Sequence, residues 1–267
     1  CLILLTFCIN MFKNKLILCS LIFLSSVNSI FANEVNIYTS RHYDSDVQLY
    51  QDFTDKTGIK VNIISAKGKA LIERLKSEGE NSPADIFITV DAGNLWKVQD
   101  YGLFRPINSD SINLIVPKKY RGDNNEWIAL AKRARVIFYN KQSYQDEDLK
   151  NLSYENLDSE KWKNKLAIRS SNNLYNQSLV ASLIARYGED YTENWAKGLV
   201  ENFARNPQGN DRAQIIAVAN NEADLAIANS YYLGLMLSGK KGEKQLSAGK
   251  KVKILFPSQN ANGAHVN

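Results

Sequence analysis

Cysteine and histidine are scarce in this chain. Of its 267 residues only three are Cys and two are His. All three cysteines, Cys1, Cys8 and Cys19, lie in the first apolar stretch, and none follows it. Beyond that stretch, disulfides, thiolate metal sites and cysteine nucleophiles are excluded. With His42 and His265 as the only imidazoles, a poly-histidine zinc or manganese site is disfavoured. The same scarcity, and the lack of a Gly-x-Ser-x-Gly elbow, argues against a secreted triad enzyme. A glycosidase-type carboxylate pair stays open, because its separation is a spatial fact.

A strong charge of one sign is also missing. The net charge is +5, and +3 without Lys13 and Lys15. That is too mild to argue for nucleic acid. Lys240-Lys241 and Lys250-Lys251 read as solvated loop charges. There is no internal repeat and no low-complexity segment.

Long hydrophobic runs are confined to the start. Residues Met11 to Ala32 read as a secretory signal peptide, with basic Lys13 and Lys15, an apolar run from Leu16 to Val27, and Ala32 as the last leader residue. That run is short for a transmembrane helix. Cys1 to Asn10 precede Met11 and read as spurious upstream sequence. An anchor from Cys1 to Val27 would be interrupted by Asn10, Lys13, Asn14 and Lys15. Leu18 before Cys19 argues against lipid attachment, where a small residue is wanted. The mature chain is therefore expected to lack stable membrane insertion.

The rest alternates strand and helix. Strands are predicted at Val35–Thr39, Ile59–Ile64 and Ala84–Val90, with helices at Asp44–Lys56, Ala70–Glu78 and Asp91–Asp100. This order predicts an α/β fold with a parallel sheet covered on both faces. Pro106–Pro117 is irregular. Trp127–Tyr139 reads as one or two extended pieces, and Asn140–Lys163 as a polar linker with short helical turns. Lys165–Arg169 is a predicted strand, Leu174–Tyr187 and Tyr191–Phe203 are helices, and Asn210 or Asp211 caps a helix to Ala219. Ala223–Ala228 and Val252–Phe256 are further strands. The partition is a leader (1–32), a first lobe (33–132) and a second lobe (133–256), with 257–267 leading out and no closing helix, so the chain reads as truncated.

Three predicted strand ends share a pattern. Ser40-Arg41-His42-Tyr43, Ser170-Ser171-Asn172-Asn173-Leu174-Tyr175 and Asn229-Ser230-Tyr231-Tyr232 are each a polar turn opening a helix, and each carries tyrosine. Strand ends and helix starts are where open α/β sheets bind ligands. Phenol, with a pKa of about 10, is a poor ligand for a weak Lewis acid, but a hard, highly charged cation stabilises the phenolate. Ferric iron fits; calcium would want an acidic cluster, which these turns lack. The alternatives are an aromatic cleft for a sugar or amine, or tyrosines that only pack. Asp91 reads as an N-cap, His265 as structural, and Arg41 as either an anion contact or a loop cap.

The chain resembles the ferric-iron-binding periplasmic proteins, the solute-binding subunits of iron ABC transporters. The resemblance rests on Ile37-Tyr38-Thr39-Ser40-Arg41-His42-Tyr43, Ser82-Pro83-Ala84-Asp85, Arg133-Ala134-Arg135-Val136 leading to Tyr139-Asn140, Asn229-Ser230-Tyr231-Tyr232, and Phe256-Pro257 through His265-Val266-Asn267. It implies a two-lobed, hinged, type II-like periplasmic binding protein, not an enzyme, that closes around Fe³⁺. It implies Tyr43, Tyr175, Tyr231 and Tyr232 as metal ligands in an interlobe cleft, with His42 as a candidate fifth. Arg135 and Arg133 would lie nearby as charge partners, and a small anion such as carbonate would complete the shell in some members. It also implies periplasmic localisation, an inner-membrane ABC permease as partner, and a monomer. Residues 257–267 would begin a return to the first lobe. A binding protein for an oxyanion or polyamine is the competing reading.

Overall fold

The computed structural model describes residues 33–41, 43–258 and 263–266. The predicted leader, the three cysteines and His42 lie outside the described residues. The chain divides into two compact units. The described part of the first is residues 33–41, 43–71 and 81–88, and that of the second is residues 72–80, 89–258 and 263–266.

The first unit is a parallel three-stranded sheet. Strand β1 (Glu34–Thr39) runs between β2 (Lys60–Ser65) and β3 (Ile86–Ile88). Tyr38 pairs with Ile64 on one side and Phe87 on the other, in parallel register. Parallel neighbours need a crossover, and helix α1 (Asp44–Thr57) supplies the one from β1 to β2. It stops where Gly58 takes a left-handed φ of 72° and returns its N–H to the Thr54 carbonyl. The end of β1 is buried at Ile37, Tyr38 and Thr39, while Ile63, Ile64 and Ile86 on the outer strands are exposed. Full cover on both faces, expected from the sequence, is therefore not found among the described residues.

Helix α2 (Gly68–Glu78) begins in the residues of the first unit and ends in those of the second. In the second unit, α3 (Ala92–Asp100) and α4 (Asp110–Ile115) come first. The core is a mixed four-stranded sheet of β4 (Arg135–Asn140), β5 (Leu166–Ala167), β6 (Leu225–Asn229) and β7 (Val252–Leu255), in the order β5-β6-β4-β7. Strands β5 and β6 are parallel, while β4 is antiparallel to both β6 and β7.

Every residue of β4 and β6 is buried, so side chains alternate between two apolar layers. Helices α5 (Asp146–Leu149), α6 (Leu174–Tyr187) and α7 (Glu189–Glu201) serve one layer, where Ile137, Leu225 and Ile227 meet Leu149, Leu179, Leu183 and Trp195. Helices α8 (Asp211–Ala219), α9 (Tyr231–Leu237) and α10 (Glu243–Lys251) serve the other, where Val136, Phe138 and Ala226 meet Ile215, Val218, Met236 and Ala248. Full burial of one such aliphatic or aromatic side chain contributes about 1.5–3 kcal/mol.

Some expectations need correction. Lys250 and Lys251 are not loop charges: they end α10, where cations suit the negative end of a helix. Strands β3 and β5 are shorter than their apolar runs. Residues 127–134 form no named strand, and β4 starts only at Arg135, after the Lys132-Arg133 pair. Within the irregular stretch, Ser109 caps α4 by accepting from Ile112 N–H.

Candidate metal centre

Register brings the phenol-bearing turns of the second unit to one end of its sheet. Arg135, which opens β4, pairs with Asn229, which closes β6. Ala167, which closes β5, pairs with Ala226 in parallel. The turns after β5 and β6 therefore leave the sheet on the same side, and each enters a helix.

The turn after β5 is fixed by two asparagines. Asn173 caps α6, its side chain accepting from Tyr175 N–H at 3.1 Å. Asn176 Nδ2 donates to the Arg169 carbonyl at 2.8 Å, and its Oδ1 accepts from Arg135 Nη2 at 2.7 Å. Tyr175 is thus held at the first turn of α6. Its hydroxyl accepts from Arg133 Nη1 at 3.4 Å. Three guanidinium centres surround its ring, Arg133 at 5.1 Å, Arg135 at 5.9 Å and Arg169 at 5.8 Å from the centroid.

The turn after β6 is shorter. Ser230 N–H donates to the Ala134 carbonyl at 2.9 Å, and Tyr231 and Tyr232 are the first two residues of α9. Their rings lie 4.3 Å apart. The hydroxyl of Tyr231 is within hydrogen-bonding reach of both Tyr232 and Tyr175. The structure therefore gathers Tyr175, Tyr231 and Tyr232 into one cluster beside Arg133.

Burial is the main reason that all three phenols are pushed above their ordinary value. For Tyr175 the charge of Tyr231 comes next; for Tyr231 it is the hydrogen bond with Tyr232. A weak Lewis acid would leave such phenols protonated; a hard trivalent cation would displace the protons. Among the described residues, no group of three or more His, Cys, Asp or Glu could hold a metal. The donors gathered here are phenolic.

Tyr43 belongs to the first unit. It precedes α1, is 47% exposed, and lies under the Arg41 guanidinium, 5.0 Å from its ring centroid. Arg41 forms a two-pronged contact with Asp46, Nε and Nη2 each at 2.9 Å, which favours the loop-cap role.

Asp91 caps α3, accepting from Gly93 N–H at 3.0 Å, with φ at 71°. Burial pushes its carboxyl up, against the pull of Arg133 and Arg135. His265 sits behind the cluster, with Nε2 2.8 Å from Ser178 Oγ and its carbonyl accepting from Arg135 N–H at 2.9 Å.

Sequence reading missed Asp211 as anything but a helix cap, and missed Arg169 and Asn176. The signal for Asp211 was the doublet Asn210-Asp211, two capping residues where a helix needs one. Asn210 is the cap, and Asp211 turns inward to pair with Arg135 at 2.9 Å, both side chains 0% exposed.

Comparison with known proteins gives the chain's relatives. The chain is 50% identical over 234 residues to iron uptake protein A1 of Synechocystis, covering 88% of this chain and 64% of that protein. It thus spans less than two thirds of that relative. It is 32% identical over 203 residues to the major ferric iron-binding protein of Neisseria meningitidis, covering 74% of this chain and 59% of that one. Among solved structures, the Trichodesmium IdiA/FutA protein in complex with iron and citrate ligands matches with a TM-score of 0.83 and 53% identity, over 88% of this chain and 73% of that one. A ferric binding protein from Campylobacter jejuni matches with a TM-score of 0.80 and 42% identity, over 87% and 73%. The α/β fold of this chain matches these structures. The model of the family described as bacterial extracellular solute-binding protein matches residues 81–261, more than half of the chain, and the chain belongs to that family.

Proposed function

We propose that this protein captures ferric iron in the periplasm and hands it to an inner-membrane ABC permease, without acting as an enzyme. The observation that carries this reading is the cluster of three half-buried phenols, Tyr175, Tyr231 and Tyr232, beside the Arg133 guanidinium. Fe³⁺ is the cargo. Tyr43 is proposed as the fourth phenolate and His42 as a fifth ligand, with Arg133 and Arg135 as charge partners. A small anion such as carbonate would fill remaining positions. The proposed lobes are residues 33–132 and 133–256, the protein acts as a monomer, and residues 11–32 direct secretion. Relatives named for iron uptake and ferric iron binding support the same cargo. A polyamine is disfavoured, because a cationic amine wants carboxylates and the groups gathered here are neutral phenols.

Ferric citrate titrated into the full chain should produce a visible phenolate-to-iron charge-transfer band that saturates. A titration that leaves the protein colourless overturns the reading.

A further inference from the structure

Several side chains that shape the phenol cluster end on one carboxylate. Asn210 supplies the cap of α8, accepting from Ala213 N–H at 3.2 Å, which leaves the Asp211 side chain available to turn inward. Asp211 Oδ2 accepts from Arg135 Nη1 at 2.9 Å and from Asn229 N–H at 3.1 Å. Its Oδ1 accepts from Arg169 Nη1 at 3.3 Å. A buried carboxylate tolerates its desolvation only when paired and hydrogen-bonded in this way.

Each donor belongs to a segment that carries or neighbours a phenol. Arg135 also donates to Asn176, the residue after Tyr175. Arg169 opens the turn to α6, and its carbonyl accepts from Asn176. Asn229 closes β6, two residues before Tyr231. Two of the three guanidiniums around the Tyr175 ring are thus held by the same carboxylate.

We propose that Asp211 is the positioning residue of the phenol cluster, locking the start of β4 and the turns after β5 and β6 to one another so that Tyr175, Tyr231 and Tyr232 meet. Its consequence for iron rests on the reading of that cluster as the iron site; its consequence for phenol geometry does not. Partners of this kind behind metal ligands typically change affinity about 10–100-fold when removed.

The test compares Asp211→Asn with the parent and with Glu193→Gln in the full chain. Glu193 is the control: it pairs with Lys197 at 2.8 Å and takes no part in the cluster. The readouts are far-UV and near-UV circular dichroism without iron, and the visible band with ferric citrate. For Asp211→Asn we expect the parent's far-UV spectrum, an altered near-UV tyrosine signal, a shifted band and affinity about 10–100-fold lower. Glu193→Gln should keep the parent's near-UV signal and band. If Asp211→Asn does not fold, Arg169→Gln, which removes the Oδ1 donor together with one of the three guanidiniums around the Tyr175 ring, should give a smaller change of the same kind. The proposal is overturned if folded Asp211→Asn keeps the parent's near-UV signal. It is equally overturned if Glu193→Gln reproduces the changes, or if the fallback Arg169→Gln is silent. A parent without a visible band overturns the iron reading, and the iron-free near-UV comparison still decides the role of Asp211.

Discussion

The rings of Tyr231 and Tyr232 stand 4.3 Å apart, tilted by 35°, although the two residues are consecutive. Within a helix, neighbours in sequence point about 100° apart and do not face each other. These two open α9 directly after β6, and that junction lets their rings meet. Replacing either by Phe keeps the ring and removes only the hydroxyl. Tyr231→Phe and Tyr232→Phe should each cost about 0.5–1.5 kcal/mol of stability at most. Iron affinity should fall beyond the roughly 10–100-fold typical of outer partners. Tyr191→Phe, whose ring packs on Tyr187 at 4.8 Å, is the control and should bind as the parent does. Parent-like iron titrations for both cluster variants would reduce the pair to packing.

Proton release gives a second check. The three phenols are held above their ordinary value, mainly by burial, so they enter the reaction protonated. Each that becomes a ligand must lose its proton, so about one proton per phenol should appear on binding. Affinity should rise with pH across the neutral range. Calorimetry in two buffers of different ionisation enthalpy counts the protons. A count near zero would exclude phenolate ligation.

The fold and the site were legible in the sequence to different depths. The period of 3.6 in Leu174–Tyr187 and the Gly58 stop are local signals: that helix ends as read, and α1 runs one residue past the expected Lys56, to Thr57 before Gly58. The edges of β3 and β5 were not legible, because an apolar run marks burial and not ladder length. Helix α10 was hidden by its lysines, which are also what a solvated loop carries. Tyr175, Tyr231 and Tyr232 could be picked out as neighbours because the polar turns bearing them are contiguous in sequence. Asp211 could not, because its partners Arg135, Arg169 and Asn229 come from three distant segments that only β-sheet register brings together.

His265 makes stability depend on pH. Burial, and then the Arg135 charge, lower its pKa from 6.5 to about 4. The unfolded chain therefore binds the proton first, and stability falls as pH falls between those values. Full stability is present above 6.5. By pH 5.5 the loss from this residue should be about 1 kcal/mol. Asp91, on the other side of Ser178, is raised by burial and has the opposite sign, but from 3.8 upward. Urea midpoints at pH 7.5 and 5.5 measure the slope, and His265→Gln should flatten it. An unchanged slope in that variant would show that another group carries the dependence.

Arg133 tests whether charge or shape prepares Tyr175. Its Nη1 reaches the phenol oxygen at 3.4 Å, and its guanidinium lies 5.1 Å from the ring centre. Its charge pulls the Tyr175 pKa down, against the larger effect of burial. Arg133→Gln removes that pull, so the phenol should hold its proton more tightly and iron should bind less well at a given pH. A change of one pKa unit corresponds to about 1.4 kcal/mol, or roughly tenfold in affinity. Arg133→Lys keeps the charge but not the planar fork, so it should recover part of the loss. The affinity-against-pH curve of Arg133→Gln should move to higher pH, with Arg133→Lys between it and the parent. If Lys and Gln weaken binding equally and neither moves the curve along the pH axis, Arg133 acts through its shape and not its charge.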